Sequence, residues 1–197
     1  YFARIDFTPY GNKKPQHIYI GLGTIAENQK IYVADWRAPI SSMYYDYTLG
    51  SAEYTVGQEK KRGKLSLKRQ YKIEDGQLLS YFDTDLTIND EILQEILSHN
   101  VSVKMKQIVS TIQKEQNKMV RSDTSVNILV QGIAGSGKTS IALHRAAYLL
   151  YKHRGQITSN DIQIISPNNI FSSYIAEVLP QLGEDNLVET TFAQIAR

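Results

Sequence analysis

The first 86 residues alternate hydrophobic and polar positions with a period of about two, the pattern of β-strands half-buried in a sheet. Two runs rich in β-branched and aromatic residues, His17–Ile25 and Lys30–Trp36, are separated by the polar stretch 26–29. Runs of this kind across a short polar stretch are typical of a β-hairpin. We therefore expect these two segments to pair with each other as antiparallel neighbours.

A second hairpin is indicated by Glu74-Asp75-Gly76, which lies between the two strand-like runs Lys64–Ile73 and Gln77–Phe82. Asp-Gly between two strands predicts a tight two-residue turn, because both turn positions need positive φ. The two hairpins together indicate a β-rich, antiparallel module over residues 1–86.

From Thr87 the hydrophobic period changes to about 3.6, which predicts helices. Thr87 and Asp90 resemble a helix capping box. The apolar positions that follow form two stripes at helical spacing, which we interpret as the core faces of amphipathic helices. The first stripe contains Ile92, Leu93, Ile96 and Leu97, and the second contains Val101, Met105, Ile108, Val109 and Ile112.

The last third of the chain alternates apolar runs with helical patterns. Ser125–Val130 and Asp161–Ser166 have the continuous apolar character of buried strands, and Thr139–Tyr151 and Ile170–Leu179 have the character of helices. The cations and Gly155 that follow the first helix are an ordinary helix stop, and Pro180 ends the second. Strands alternating with helices predict an α/β domain over residues 87–197, with a parallel sheet covered by helices on both faces.

A phosphate-binding loop is the clearest chemical motif in the sequence. Gly132, Gly137, Lys138 and Thr139 match G-x-x-x-x-G-K-[ST] between a predicted strand and a predicted helix. Glycines let successive backbone N–H groups face phosphate oxygens, and the helix N-terminus adds its positive end. Lys138 is the expected partner of the β- and γ-phosphates, and the Thr139 hydroxyl is the expected Mg²⁺ ligand. The remaining loop residues expected to contact nucleotide are Ile133, Ala134, Gly135, Ser136 and Ser140.

Composition describes an ordinary globular protein, with 42% hydrophobic and 21% charged residues and a net charge of +2. The absence of cysteine excludes disulfides and thiolate metal sites, and it fits a reducing cytoplasm. No apolar run approaches the roughly 20 residues that cross a bilayer, and no signal peptide is visible. Because the chain begins at Tyr1 rather than at methionine, we expect it to be part of a longer protein.

The surroundings of the loop resemble the first motifs of the UvrD/Rep helicases of superfamily 1. The loop G-x-x-G-S-G-K-T is followed by Ser140–Tyr151, in which a His-Arg pair precedes an apolar stretch. Gln116, 22 residues before Lys138, resembles the Q-motif glutamine, whose amide can both donate to and accept from the adenine edge. Residues 164–182 resemble the segment called motif Ia, which in the family contacts the single-stranded backbone. Residues 188–196 resemble the short Thr-Phe segment that follows it, although Ala193 stands where the family often has histidine. The resemblance implies a RecA-like first motor domain that uses ATP and Mg²⁺.

Three segments of the N-terminal part are distinctive: 1–7, 19–25 and Ala34–Asp46, which contains the sequence DWRAP. Through these segments the N-terminal part resembles the HelD branch of that family more specifically. HelD-like proteins are ATPases that bind RNA polymerase core and release it from nucleic acid, so the resemblance implies RNA polymerase as a partner. An ordinary superfamily 1 DNA helicase and a non-catalytic module that docks on polymerase are the alternatives.

Two further groups of residues have both a structural and a functional interpretation. Asp35, Trp36 and Arg37 are either a packed tryptophan beside an internal ion pair or a part of the coupling between nucleotide state and polymerase binding. The basic run Gln58–Lys72 is either a solvated hairpin or a surface that meets phosphates or an acidic polymerase face. The four histidines are scattered and show no metal-ligand spacing.

The acidic strand that completes a hydrolytic site is not visible in this sequence. Hydrolysis needs a carboxylate at the end of an apolar strand to hold Mg²⁺, and usually an arginine at the transferred phosphate. The strand Asp161–Ser166 ends in Ser-Pro rather than in acids. We therefore expect this chain to bind nucleotide without substantial turnover and the complete protein to be the ATPase.

Overall fold

The structure is a computed structural model that describes residues 1–28, 30–83, 114–122, 127–167, 170–185 and 187–196. The chain divides into two compact units, Tyr1–Asn117 and Lys118–Arg197. The boundary expected near residue 86 and the amphipathic stripes expected over 87–112 lie outside the described residues. Among the described residues, no helix is both long and apolar enough to cross a membrane.

The first unit is built on a mixed sheet that is largely antiparallel. The described strands are β1 (Ala3–Pro9), β2 (Gln16–Gly21), β3 (Ile25–Glu27), β4 (Lys30–Asp35), β5 (Gly50–Val56), β6 (Glu59–Glu74) and β7 (Gln77–Asp83). Their order is β3-β4-β2-β1-β6-β5, and β7 also pairs with β6. A 3-10 turn over Pro39–Ser41 leads into the short helix α1 (Ser42–Asp46) between β4 and β5.

The period-two pattern of β1 separates the two faces of this sheet. Ala3, Ile5 and Phe7 are fully buried on one face, and full burial of a side chain such as Ile or Phe contributes about 1.5–3 kcal/mol. By register, Ile5 pairs with Lys68 of β6, which is only 3% exposed. Lys68 Nζ donates to the Tyr47 carbonyl at 3.0 Å and lies 5.2 Å from the centre of the Tyr44 ring. The core face therefore accommodates a lysine by giving its ammonium group a carbonyl and an aromatic ring.

The prediction that His17–Ile25 and Lys30–Trp36 form an antiparallel hairpin is wrong for β2 and β4. β2 pairs with β4 in parallel, through Tyr19↔Val33 and Ile20↔Ala34, rather than antiparallel. The antiparallel neighbour of β4 is the short strand β3, which begins at Ile25, the last residue of the expected run, and continues to Glu27 of the polar stretch. The chain therefore reverses before β3, and the backbone N–H of Trp36 closes the parallel pair by donating to the Gly21 carbonyl at 2.9 Å.

The second expected hairpin is confirmed. β6 and β7 pair antiparallel up to Glu74↔Gln77, and the two residues between them have φ of 48° at Asp75 and 77° at Gly76. Positive φ at both positions is the requirement on which the prediction was based.

The second unit contains α2 (Lys138–Lys152), a 3-10 turn (Ser159–Asp161), β8 (Gln163–Ser166), α3 (Ile170–Gln181), β9 (Val188–Thr191) and α4 (Phe192–Ile195). The two helices expected after the loop are thus confirmed, and α3 includes Pro180 in its last turn. β8 and β9 form a two-stranded parallel sheet.

The described residues do not form the expected RecA-like parallel sheet covered by helices on both faces. Of the strand expected over Ser125–Val130, the described residues 127–130 form no strand, and Leu129 is 92% exposed. A strand is stable only when a neighbour satisfies its N–H and C=O groups and covers its apolar side chains. Within the described residues, the strands of this unit that pair in parallel are β8 and β9.

Candidate nucleotide-binding loop

The loop between residue 131 and α2 turns through left-handed glycines. Gly135 and Gly137 have φ of 77° and 83°, a region that side-chain-bearing residues rarely adopt. Gly137 is the N-cap of α2, and no side chain caps the first turn of that helix. The N–H groups of the first turn are therefore available to an anion, which is the arrangement that phosphate-binding loops exploit.

Position 132 requires glycine because the Ser136 side chain leaves no room for a Cβ, and not because of its φ. A Cβ at this position would lie 2.5 Å from Ser136 Oγ and 3.3 Å from Ser136 Cβ. The loop closes over this point through a hydrogen bond from the Ser136 N–H to the Ile133 carbonyl at 3.3 Å. The first and last glycines of the motif thus have different physical roles, and both fit a loop that folds tightly around a phosphate chain.

Lys138 extends over the loop that precedes it. Its Nζ donates to the carbonyls of Gly132 at 2.9 Å and Ile133 at 2.7 Å. Both bonds are exposed to solvent, so phosphate oxygens can replace these carbonyls as acceptors. The ammonium group is therefore held beside the first two residues of the loop by acceptors that solvent can reach.

Thr139 and Ser140 occupy the first turn of α2 with different surroundings. Thr139 is exposed, as a Mg²⁺ ligand must be before it binds, whereas the Ser140 hydroxyl lies 3.3 Å from His144 Nδ1. His144 Nδ1 also lies 2.8 Å from the Ser140 carbonyl, and burial lowers the pKa of His144. The imidazole is therefore neutral at pH 7, with Nδ1 donating to the carbonyl.

Gln116 lies in a helical stretch over residues 114–121 and is half-buried. Its neighbour Asn117 is 8% exposed and donates through Nδ2 to Asp46 Oδ1 at 2.6 Å. This bond joins the stretch to α1 inside the first unit. Asp46 and Asn117 had no role in the sequence-based expectations, because residues 71 positions apart give no local signal.

Arg145 is a second residue that the motif alone did not assign. Its Nη1 donates to the carbonyls of Met119 at 2.9 Å, Val120 at 3.3 Å and Ser122 at 2.9 Å, all within the second unit. These carbonyls are at the C-terminal end of the 114–121 stretch, where the Met119 carbonyl also accepts from the Ser122 N–H at 3.4 Å. The sequence feature that could have identified Arg145 is a cation inside the otherwise apolar part of α2.

Asp35, Trp36 and Arg37 form a buried corner at the end of β4. Asp35 is 3% exposed and Arg37 is 2% exposed. The Arg37 guanidinium donates to both carboxylate oxygens of Asp35, at 2.8 and 2.7 Å, and the Arg37 N–H donates to the same carboxylate at 2.8 Å. The structural interpretation of this triplet, a packed tryptophan beside an internal ion pair, is the one that these contacts support.

Neighbouring carboxylates balance most of the positive charge of the basic run on β6. Lys60 and Arg62 both contact Glu53, Lys61 contacts Glu59, Arg69 contacts Asp83, and Lys72 contacts Glu74. Lys68 is buried, as described above. These contacts favour the solvated hairpin over a continuous cationic surface for phosphates. Within the described part of the chain, no group of histidine and acidic residues has the arrangement of a metal site.

Two protein-family models match successive parts of the chain. Residues 1–96 match the family model described as DNA helicase IV HelD, N-terminal domain. Residues 112–191, which include the loop and α2, match the UvrD/REP helicase N-terminal domain. No curated protein matches the chain.

Proposed function

The chain belongs to the HelD-like branch of the UvrD/Rep helicases, and on that premise we propose that it supplies the ATP-binding part of an ATP-dependent motor. The observation that carries this proposal is the loop itself, in which left-handed glycines lead into an uncapped helix and Lys138 Nζ lies over the turn. In the complete protein, hydrolysis would release RNA polymerase from nucleic acid or drive movement along DNA.

Each residue of the loop has a separate task in this proposal. The segment Gly132–Ser140 surrounds the phosphates, Lys138 neutralises the β- and γ-phosphates, and Thr139 supplies a hydroxyl ligand to Mg²⁺. Gln116 reads the adenine edge through its amide. When bound, Mg²⁺ neutralises the phosphate oxygens and activates the γ-phosphate for transfer.

The role of Thr139 can be tested through the Mg²⁺ dependence of ATP binding. Thr139→Val is expected to remove most of the gain in affinity that Mg²⁺ gives, by about 10–100-fold, because the metal loses a ligand. Thr139→Ser keeps the hydroxyl and is the matched control. Titrations of ATP with excess Mg²⁺ and with EDTA measure the ratio. An unchanged Mg²⁺ dependence in Thr139→Val would place the metal elsewhere.

The N-terminal unit is proposed to dock on RNA polymerase core. One face of its sheet carries exposed or half-buried tyrosines with arginines beside them: Tyr1, Tyr19, Tyr71 and Tyr81 with Arg4 and Arg69. Tyrosine and arginine are enriched in the residues that dominate protein interfaces. Each arginine is paired with a carboxylate, so this face offers stacking area with little net charge.

Retention of purified core polymerase on the immobilised chain tests this docking face. Tyr81→Ala combined with Arg69→Ala is expected to lower retention by about tenfold or more, the size of a typical interface hot spot. Tyr32→Ala, which removes an exposed tyrosine from β4, is the control and should leave retention unchanged. Equal retention by both variants would argue against this face. Retention of single-stranded DNA but not of polymerase by the unaltered chain would favour the ordinary DNA helicase.

A further inference from the structure

We infer that His144 positions the Ser140 hydroxyl as a hydrogen-bond donor to the phosphates, an inference that rests on the phosphate-binding role proposed for the loop. Both residues lie in α2, within the second unit, and Ser140 follows Lys138 and Thr139 in the first turn of that helix. Residues four positions apart are neighbours on the same side of a helix. The His144 side chain can therefore restrict the direction of the Ser140 side chain.

The position of one imidazole nitrogen decides the direction of two hydrogen bonds. His144 Nδ1 lies 2.8 Å from the Ser140 carbonyl oxygen, and since a carbonyl can only accept, Nδ1 carries a proton. The Ser140 hydroxyl oxygen lies 3.3 Å from the same nitrogen, which cannot accept a hydrogen bond once it is protonated. The hydroxyl oxygen is therefore a second acceptor of this N–H, and the proton of the hydroxyl points elsewhere.

A hydroxyl arranged in this way suits a phosphate oxygen better than a metal ion. The imidazole N–H occupies one lone pair of the Ser140 oxygen, whereas the hydroxyl proton is available to an acceptor, and a charged acceptor gives the stronger bond. Among the described residues, the Ser140 hydroxyl has no partner besides His144, and Ser140 is only half-buried. The exposed Thr139 hydroxyl has no such contact within the described part of the chain, so both of its lone pairs remain for Mg²⁺. The two adjacent hydroxyls thus have different tasks.

Dissociation constants for tripolyphosphate, with excess Mg²⁺ and with EDTA, test this assignment on the full 197-residue chain. Ser140→Ala is expected to lower the affinity about tenfold in both conditions, because a hydrogen bond to a charged oxygen is lost. His144→Phe keeps a ring without the N–H, which allows the hydroxyl to donate to a backbone carbonyl of the preceding turn instead. It should reproduce most of the loss, and the double change should add little to it.

Two further variants are the controls. His144→Asn should bind tripolyphosphate within about threefold of the unaltered chain, because its Nδ2 is as many bonds from the backbone as Nδ1 of histidine and can also donate. His153→Ala removes a histidine from the other end of α2 and should leave the affinity unchanged. Should His144→Phe not fold, His144→Leu gives the same comparison, since it also lacks a donor.

Lys138→Met separates this inference from the proposal beneath it. If Lys138→Met binds tripolyphosphate as well as the unaltered chain, the loop does not hold phosphates and the proposed function fails. If Lys138→Met loses binding while His144→Phe keeps it, the function stands and His144 has no positioning role. Losses from Ser140→Ala and His144→Phe that multiply in the double variant would show that the two residues act independently. A loss in Ser140→Ala that occurs only with Mg²⁺ would assign the hydroxyl to the metal instead.

Discussion

Lys138→Met is expected to lower the affinity for Mg-ATP by more than about 100-fold. Hydrogen bonds to charged groups contribute about 1.5–3 kcal/mol each, and the ammonium group can make more than one of them to the phosphates. In the structure, Lys138 Nζ already makes two such bonds, to the carbonyls of Gly132 and Ile133. Those carbonyls are exposed and can bond to water instead. The melting temperature should therefore change little while binding is lost.

Titration of a fluorescent ATP analogue, with thermal unfolding of the same samples, measures both quantities. Lys152→Met, at the other end of α2, is the matched control, since it removes the same charge from the same helix. It should bind ATP within about twofold of the unaltered chain. ATP affinity within threefold of normal in Lys138→Met would contradict a phosphate role for this loop.

Asp35→Asn is expected to be the most destabilising single change in the N-terminal unit. It leaves the Arg37 guanidinium, 2% exposed, without its counter-charge. Breaking a buried ion pair from one side costs about 3–5 kcal/mol. For a unit of this size that corresponds to a fall in melting temperature of roughly 10–20 °C. Thermal and urea unfolding monitored by Trp36 fluorescence report on this corner directly.

An exposed pair of the same geometry provides the control. Asp83 accepts from both Arg69 nitrogens, at 2.5 and 2.9 Å, but its side chain is 48% exposed. Asp83→Asn should therefore cost less than about 1 kcal/mol. The double change Asp35→Asn with Arg37→Met should regain part of the loss, because it removes the uncompensated charge. Equal stability of Asp35→Asn and Asp83→Asn would show that the buried corner is not an anchor of the fold.

Local signals in the sequence predicted the local structure well. The turn at Asp75-Gly76 was correct because positive φ at both residues is a property of the residues themselves. Helix α2 was correct to within one residue at each end, since its glycine start, apolar stripe and cationic end are all nearby in the chain. The loop was found in the same way, because its glycines, lysine and threonine are consecutive or nearly so.

Signals that depend on a distant partner were wrong or absent. β4 was given the wrong neighbour because the apolar pattern of a strand is the same whether it pairs in parallel or antiparallel. Residues 127–130 have the composition of a strand, but composition does not supply the neighbour that a strand needs. The Asp46–Asn117 bond and the Arg145 contacts link residues more than 20 positions apart.

The sequence by itself determined the family, the phosphate-binding loop and the residues expected to hold ATP and Mg²⁺, because each depends on residue types at short fixed spacing. Only the tertiary structure decided that Asp35 and Arg37 are a buried anchor, that the basic strand is compensated by its neighbours, and that Arg145 lies on the carbonyls of the 114–121 stretch. Those outcomes depend on burial and on long-range contacts, which the order of residues along the chain does not reveal.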